Sequence, residues 1–110
     1  MQTIHNLKEY GELLEKSPAL LSYFSTGQCQ VCKVLKPKVI ELISEKFPMM
    51  ETAWVDIGRS PVVAGQNQIF TAPTLLVYFE GKEYLRKSRN ISIDELEDEI
   101  RRVYELMFKS

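Results

Sequence analysis

Residues 19–32, Ala19-Leu20-Leu21-Ser22-Tyr23-Phe24-Ser25-Thr26-Gly27-Gln28-Cys29-Gln30-Val31-Cys32, decide the fold of this chain. Residues 19–25 are an apolar and aromatic run, which predicts a buried strand. Residues 31–47 then predict a helix, because apolar side chains recur there at helical spacing. Those side chains are Val31, Val34, Leu35, Val39, Leu42 and Ile43.

The two cysteines of the chain lie at the beginning of this helix. Unpaired backbone amides and the positive end of the helix dipole favour a thiolate at Cys29. Cys32 lies one turn further along the same face, close enough to form a disulfide with Cys29. This arrangement points to thiol–disulfide exchange, with Cys29 as the exposed nucleophile and Cys32 as the resolving thiol.

The rest of the chain predicts alternating helices and strands. Helices are expected at 7–16, at about 60–68 and from 93 toward the C-terminus, and strands at 50–57, 74–79 and 82–87, with a short edge strand near 2–4. Strands joined by a crossover helix lie parallel, and a turn at Glu80-Gly81 makes the last two strands an antiparallel hairpin. We therefore expect an α/β fold in one domain, 1–110, with a mixed four- to five-stranded sheet covered by helices on both faces.

Composition excludes several function classes. The 14 basic and 15 acidic residues are interleaved, so no charged surface for nucleic acid or an anionic membrane is expected. The N-terminal residues lack a secretory signal, and no apolar run approaches the roughly 18 residues of a membrane span. A cytoplasmic protein is expected, and in that reducing compartment a close cysteine pair is more often catalytic or metal-binding than structural.

Two other interpretations of the cysteines stay open. Cysteines at a helix start also occur as buried, inert packing residues. A structural zinc site needs four ligands, and the one histidine, His5, is remote in sequence. A metal site or iron–sulfur cluster shared across a dimer would supply the missing ligands.

With these motifs in place, the chain resembles the thioredoxin family along essentially its whole length. The resemblance rests on Cys29-Gln30-Val31-Cys32, on Pro37 five residues further on, on Ala72-Pro73-Thr74 before a strand, and on Gly81. It implies a thioredoxin-like three-layer fold with a kink at Pro37. It also implies that Pro73 takes the cis form and lies against the cysteine pair.

The resemblance implies a thiol–disulfide oxidoreductase that reduces protein disulfides and needs no cofactor beyond the redox-active Cys29–Cys32 pair. Its electron donor would be a flavoprotein reductase or a low-molecular-weight thiol, and a monomer is expected. The residues expected to contact the substrate are Gln28, Gln30, Val31, Ala72 and Pro73.

Six positions depart from the family pattern. Gln30 and Val31 replace the glycine and proline between the two cysteines. Gln28 replaces a tryptophan, Tyr23 replaces a buried aspartate that helps to move protons, Thr52 falls where that aspartate has a lysine partner, and Arg89 falls where a glycine is usual. Tyrosine is a poor base near neutral pH, so slower resolution of the mixed disulfide is expected. These departures leave a second hypothesis, a thioredoxin-like binding, adaptor or redox-sensing module without general reductase activity.

Asp56 is a further candidate for proton movement, since it ends a predicted strand near the cysteines. A carboxylate at that place more often terminates a loop. Trp54, the one tryptophan, is expected in the core or on the sheet surface rather than in a substrate platform.

Overall fold

A mixed five-stranded sheet forms the centre of the computed structural model, which describes residues 1–108. The strands are β1 (Gln2–Thr3), β2 (Ala19–Ser25), β3 (Glu51–Asp56), β4 (Thr74–Phe79) and β5 (Lys82–Ser88), in the order β1-β3-β2-β4-β5. β3 runs parallel to β1 and β2, and β4 runs antiparallel to β2 and β5. Every residue of the two central strands, β2 and β4, is buried, as their apolar sequences predict.

Four helices cover the two faces of the sheet. They are α1 (Leu7–Lys16), α2 (Gln30–Lys46), α3 (Pro61–Gln66) and α4 (Ile93–Phe108). Successive residues of β2 point to opposite faces, so Tyr23 packs with α2 and α4 and Phe24 packs with α1 and α3. The predicted three-layer α/β fold is confirmed.

The apolar pattern that predicts α2 is not buried at its N-terminal end. Val31 and Val34 are 59% and 61% exposed. The face of α2 that meets the sheet instead passes through Cys32, Leu35 and Val39, which recur at helical spacing. Val31 and Val34 lie on the flank of that face, so they form an apolar surface beside the cysteines.

Candidate active site

The cysteines lie where β2 ends and α2 begins. Cys29 is the N-cap of α2, with extended φ and ψ of −82° and 107°, and Cys32 belongs to its first turn. The two residues are joined by a disulfide, and their Cα atoms are 5.2 Å apart. Cys29 is partly exposed, whereas Cys32 is only 3% exposed. A reactant from solution can therefore approach Cys29 and not Cys32.

A backbone amide of the first helical turn contacts the Cys29 sulfur. The Cys32 N–H donates to Cys29 Sγ at 3.1 Å, as an N–H donates to the side chain of an N-cap residue. In the reduced protein the same donor, together with the helix dipole, would stabilise negative charge on this sulfur. The loop before it is closed by the Cys29 N–H, which donates to the Thr26 carbonyl at 3.3 Å.

Pro73 reaches the same end of the sheet from β4. Because β4 is antiparallel to β2, with Thr74 opposite Phe24, the start of β4 lies beside the end of β2. The Ala72–Pro73 peptide bond is cis. Ala72 and Cys29 both border the core beneath α2 and α4, so the two predicted parts of the site meet the same core.

Arg86 holds the beginning of the loop that leads to Pro73. Its guanidinium donates to the backbone carbonyls of Asn67 at 3.0 Å and Gln68 at 3.1 Å. Glu83 accepts from the same guanidinium, and this hydrogen bond lowers the pKa of the Glu83 carboxyl. The loop is thus fixed to β5 before it reaches the site, an arrangement that no sequence motif indicated.

Tyr23 contacts the site through its hydroxyl group. The side chain is fully buried, and its O–H donates to the Cys32 carbonyl at 2.9 Å. Burial raises the pKa of Tyr23 to about 12, so the hydroxyl stays neutral at physiological pH. Tyr23 therefore fixes the first turn of α2 and provides no base for Cys32.

Replacing Tyr23 with phenylalanine tests this assignment. Tyr23→Phe removes one hydrogen bond to a buried carbonyl, so we expect the free energy of unfolding to fall by about 1 kcal/mol. The rate of disulfide exchange should not change, because the hydroxyl does not carry the proton. Urea denaturation measures the first quantity and stopped-flow reduction of a model disulfide the second.

Tyr104→Phe is the matched control, since the Tyr104 hydroxyl also makes one hydrogen bond with the backbone, in this case by accepting the Met49 N–H at 3.1 Å. A tenfold loss of exchange rate in Tyr23→Phe alone would show that the Tyr23 hydroxyl takes part in proton transfer.

Asp56 and Trp54 have structural contacts. Asp56 Oδ1 accepts from the N–H groups of Gly58 at 2.9 Å and Arg59 at 3.3 Å, which closes the turn after β3 and supports the loop-terminating role. Trp54 lies half-buried on β3, where its indole N–H donates to Ser25 Oγ at 2.7 Å. Lys36 Nζ covers the other side of the indole, 3.9 Å from the ring centre.

Exposed residues surround the disulfide. Of the residues predicted to contact substrate, Gln28, Gln30 and Val31 are exposed, Ala72 is half-buried and Pro73 is buried. Phe70, which precedes the Pro73 loop, is 85% exposed and was not predicted as a site residue. Phe70 follows Ile69, and two adjacent apolar residues gave no periodic signal. Val34 was missed because its spacing was used only to predict the helix.

Within residues 1–108, no three His, Cys, Asp or Glu side chains come together in a way that could hold a metal ion. No helix in the same range is long and apolar enough to cross a membrane. The redox group that the structure does contain is the Cys29–Cys32 disulfide.

The sequence model of the family described as thioredoxin matches residues 2–102. The chain belongs to the thioredoxin family. It is 28% identical over 106 residues to the thioredoxin-like protein YdfQ of Bacillus subtilis, covering 96% of this chain and 94% of that one. It is 29% identical over 86 residues to a thioredoxin of Chlamydia trachomatis, covering 78% of this chain and 82% of that one. The structure matches the thioredoxin of Fasciola hepatica with a TM-score of 0.83 and 26% identity, over 93% of this chain and 98% of that one.

A thioredoxin-family chain whose paired cysteines lie this close together is a thiol–disulfide oxidoreductase. The alternative of a thioredoxin-like binding module is not favoured. The departures at Tyr23, Gln28 and Arg89 thus occur in a member of the thioredoxin family.

Proposed function

We propose that residues 1–110 act as one domain that reduces the disulfides of protein substrates, with Cys29 as the nucleophile and Cys32 as the resolving thiol. The observation that carries this assignment is the asymmetry of the pair. Cys29 Sγ lies at the open N-terminus of α2 and accepts an N–H hydrogen bond, whereas Cys32 is 3% exposed beneath the same turn. The exposed sulfur attacks and the buried one follows.

The reaction proceeds in two exchanges. The Cys29 thiolate attacks one sulfur of the substrate disulfide, which breaks the substrate S–S bond, forms a mixed disulfide and releases one substrate thiolate. The Cys32 thiolate then attacks Cys29 Sγ, which forms the Cys29–Cys32 disulfide and releases the second substrate thiolate. Two electrons pass to the substrate, and each released thiolate takes up a proton near neutral pH.

The surface around Cys29 would hold the substrate in line for the attack. Pro73 has no N–H, so it donates no ladder hydrogen bond, and the backbone of Ala72 is available to an extended substrate segment. The exposed side chains of Gln28, Gln30 and Val31 complete this surface.

The second exchange is expected to be slower than in thioredoxins that have an aspartate where this chain has Tyr23. A neutral hydroxyl with a pKa of about 12 does not accept the Cys32 proton near pH 7. We propose that a flavoprotein reductase or a low-molecular-weight thiol returns two electrons to the oxidised pair. We also propose a cytoplasmic monomer, since a reducing compartment favours the reductive direction.

Insulin reduction with dithiothreitol as the electron donor tests the proposed function. The protein should precipitate insulin chains faster than dithiothreitol alone, because Cys29 is held at a helix N-terminus and Cys32 is already in place. A rate equal to that of dithiothreitol alone would overturn the proposal of a reductase acting broadly on protein disulfides.

A further inference from the structure

A groove runs along the N-terminal half of α2 beside the disulfide. It consists of two adjoining depressions, of about 390 and 380 Å³, which share Val31 and Leu35. One extends along α2 to Val34 and Lys38, and the other extends to the loop between β5 and α4, at Arg89. Each depression has room for at least one apolar side chain. The groove has an apolar floor and one cation at each end.

The groove is continuous with the proposed substrate surface. Val31 stands between the two cysteines in the sequence and forms part of both depressions. At the other end, the Arg89 N–H donates to the Pro73 carbonyl at 2.9 Å, which ties the groove wall to the Pro73 loop. A polypeptide whose cysteine reaches Cys29 would therefore extend directly into this groove.

The cations of the groove have no carboxylate partner within residues 1–108. Lys38 and Arg89 are exposed, and neither lies within 4.0 Å of an acidic oxygen in that range. Lys87 of β5, on the same side of the sheet, is instead paired with Glu99 at 2.7 Å. The residues that line the two depressions include no Asp or Glu. Although the chain has a net charge of −1, this groove is locally basic.

The basic stretch ends at Lys38. The next groove along α2, between α2 and α4, is lined by Glu41, Glu45 and Glu97 as well as by lysines. A bound segment with acidic side chains would be attracted between Arg89 and Lys38 and repelled beyond Lys38. The change from a basic to a mainly acidic groove thus limits where along α2 such a segment can lie.

Arg89 occupies a backbone conformation that its side chain does not favour. Its φ is +63°, in the left-handed region, where glycine or asparagine is more usual than a long side chain. Strained backbone conformations occur more often at functional sites than elsewhere. Here the backbone N–H of Arg89 donates to the Pro73 carbonyl, and its side chain lines one depression of the groove.

We propose that this groove binds the substrate protein on one side of its reactive cysteine, and that it selects segments combining apolar with acidic side chains. The proposal rests on the proposed function, because it assigns a substrate class to the same site. Apolar side chains would cover Val31 and Val34, and carboxylates would pair with Arg89 and Lys38. Charge complementarity of this kind acts mainly on the rate of association and on the choice of partner.

Two synthetic peptides with the same internal disulfide and flanking leucines test the selection, one with three glutamates beside the cysteine and one with three lysines. At low ionic strength we expect the reduced protein to reduce the glutamate peptide at least about tenfold faster, a preference that shrinks as salt is added. The double variant Arg89→Glu, Lys38→Glu should reverse the preference. The double variant Lys8→Glu, Lys16→Glu, which makes the same charge change on α1 across the sheet, should leave it unchanged.

Arg89→Gly provides a variant that suits the left-handed backbone and folds without strain. We expect it to lose several-fold of the preference for glutamate while its free energy of unfolding stays equal or rises. An unchanged preference in both Arg89 variants would overturn the assignment of the groove as the selecting surface.

The uncharged 2-hydroxyethyl disulfide separates this inference from the function on which it rests. If the wild-type protein does not reduce this small disulfide, dithiol exchange itself fails. If the protein reduces this small disulfide but reduces the glutamate and lysine peptides at equal rates, the proposed function stands and the inference about the groove is wrong.

Discussion

Replacing Cys29 with serine is expected to reduce the rate of disulfide reduction by on the order of a thousandfold or more, to the rate of dithiothreitol alone in the insulin assay. The hydroxyl of serine is not ionised near neutral pH and cannot form a mixed disulfide. The substitution should leave the fold intact, because serine is among the most favoured N-cap residues and can accept the Cys32 N–H hydrogen bond. Circular dichroism of the reduced proteins checks that the loss is chemical rather than structural.

Cys32→Ser is the partner experiment, because it removes the second exchange and leaves the first. We expect this variant to react once with a substrate disulfide and then to remain attached to it through Cys29. Intact mass spectrometry would show one substrate chain added per protein molecule, removable by dithiothreitol. Attachment by Cys29→Ser instead of Cys32→Ser would reverse the assigned roles.

The parts of the fold that the sequence predicted well depend on local signals. α1, β2 and β4 have the predicted bounds because each combines a clear period with definite ends. Asn6 caps α1 by accepting the Glu9 N–H at 2.9 Å, and Pro18 follows its last turn. The close approach of the two cysteines could also be predicted from local sequence. Two cysteines three residues apart at a helix start have few possible geometries other than the observed one.

The parts that could not be predicted depend on where elements meet. Helical spacing shows that α2 has an apolar stripe, but it does not show that the face meeting the sheet leaves Val31 and Val34 in solvent. Nothing in the sequence places the Tyr23 hydroxyl against the Cys32 carbonyl, since that contact depends on the packing of α2 over β2. The left-handed conformation of Arg89 was likewise hidden, because arginine gives no turn signal.

Replacing Tyr23 with aspartate is expected to be strongly destabilising. Tyr23→Asp removes a fully buried aromatic ring, and truncation of such rings costs about 3–5 kcal/mol. It also places an ionisable group in a site where burial alone already raises the pKa of Tyr23. We therefore expect the free energy of unfolding at pH 7 to fall by at least about 3 kcal/mol, measured by urea denaturation of the oxidised protein.

Part of that loss of stability should depend on pH, and the variant should become less stable as pH rises. Burial raises the pKa of the introduced carboxyl in the folded protein above its unfolded value of about 3.9. As pH rises above about 4, the unfolded chain loses this proton before the folded one, so stability falls by up to about 1.4 kcal/mol per pH unit and levels off above the folded pKa.

Tyr23→Asn is the matched control, since it leaves nearly the same cavity without an ionisable group. The difference in stability between the two variants should be constant below about pH 4 and grow in favour of Tyr23→Asn at higher pH. A difference that stays constant to pH 8 would show that water reaches position 23. In that case the desolvation that raises the pKa of Tyr23 does not act on a shorter side chain at this position, and the predicted pH dependence is wrong.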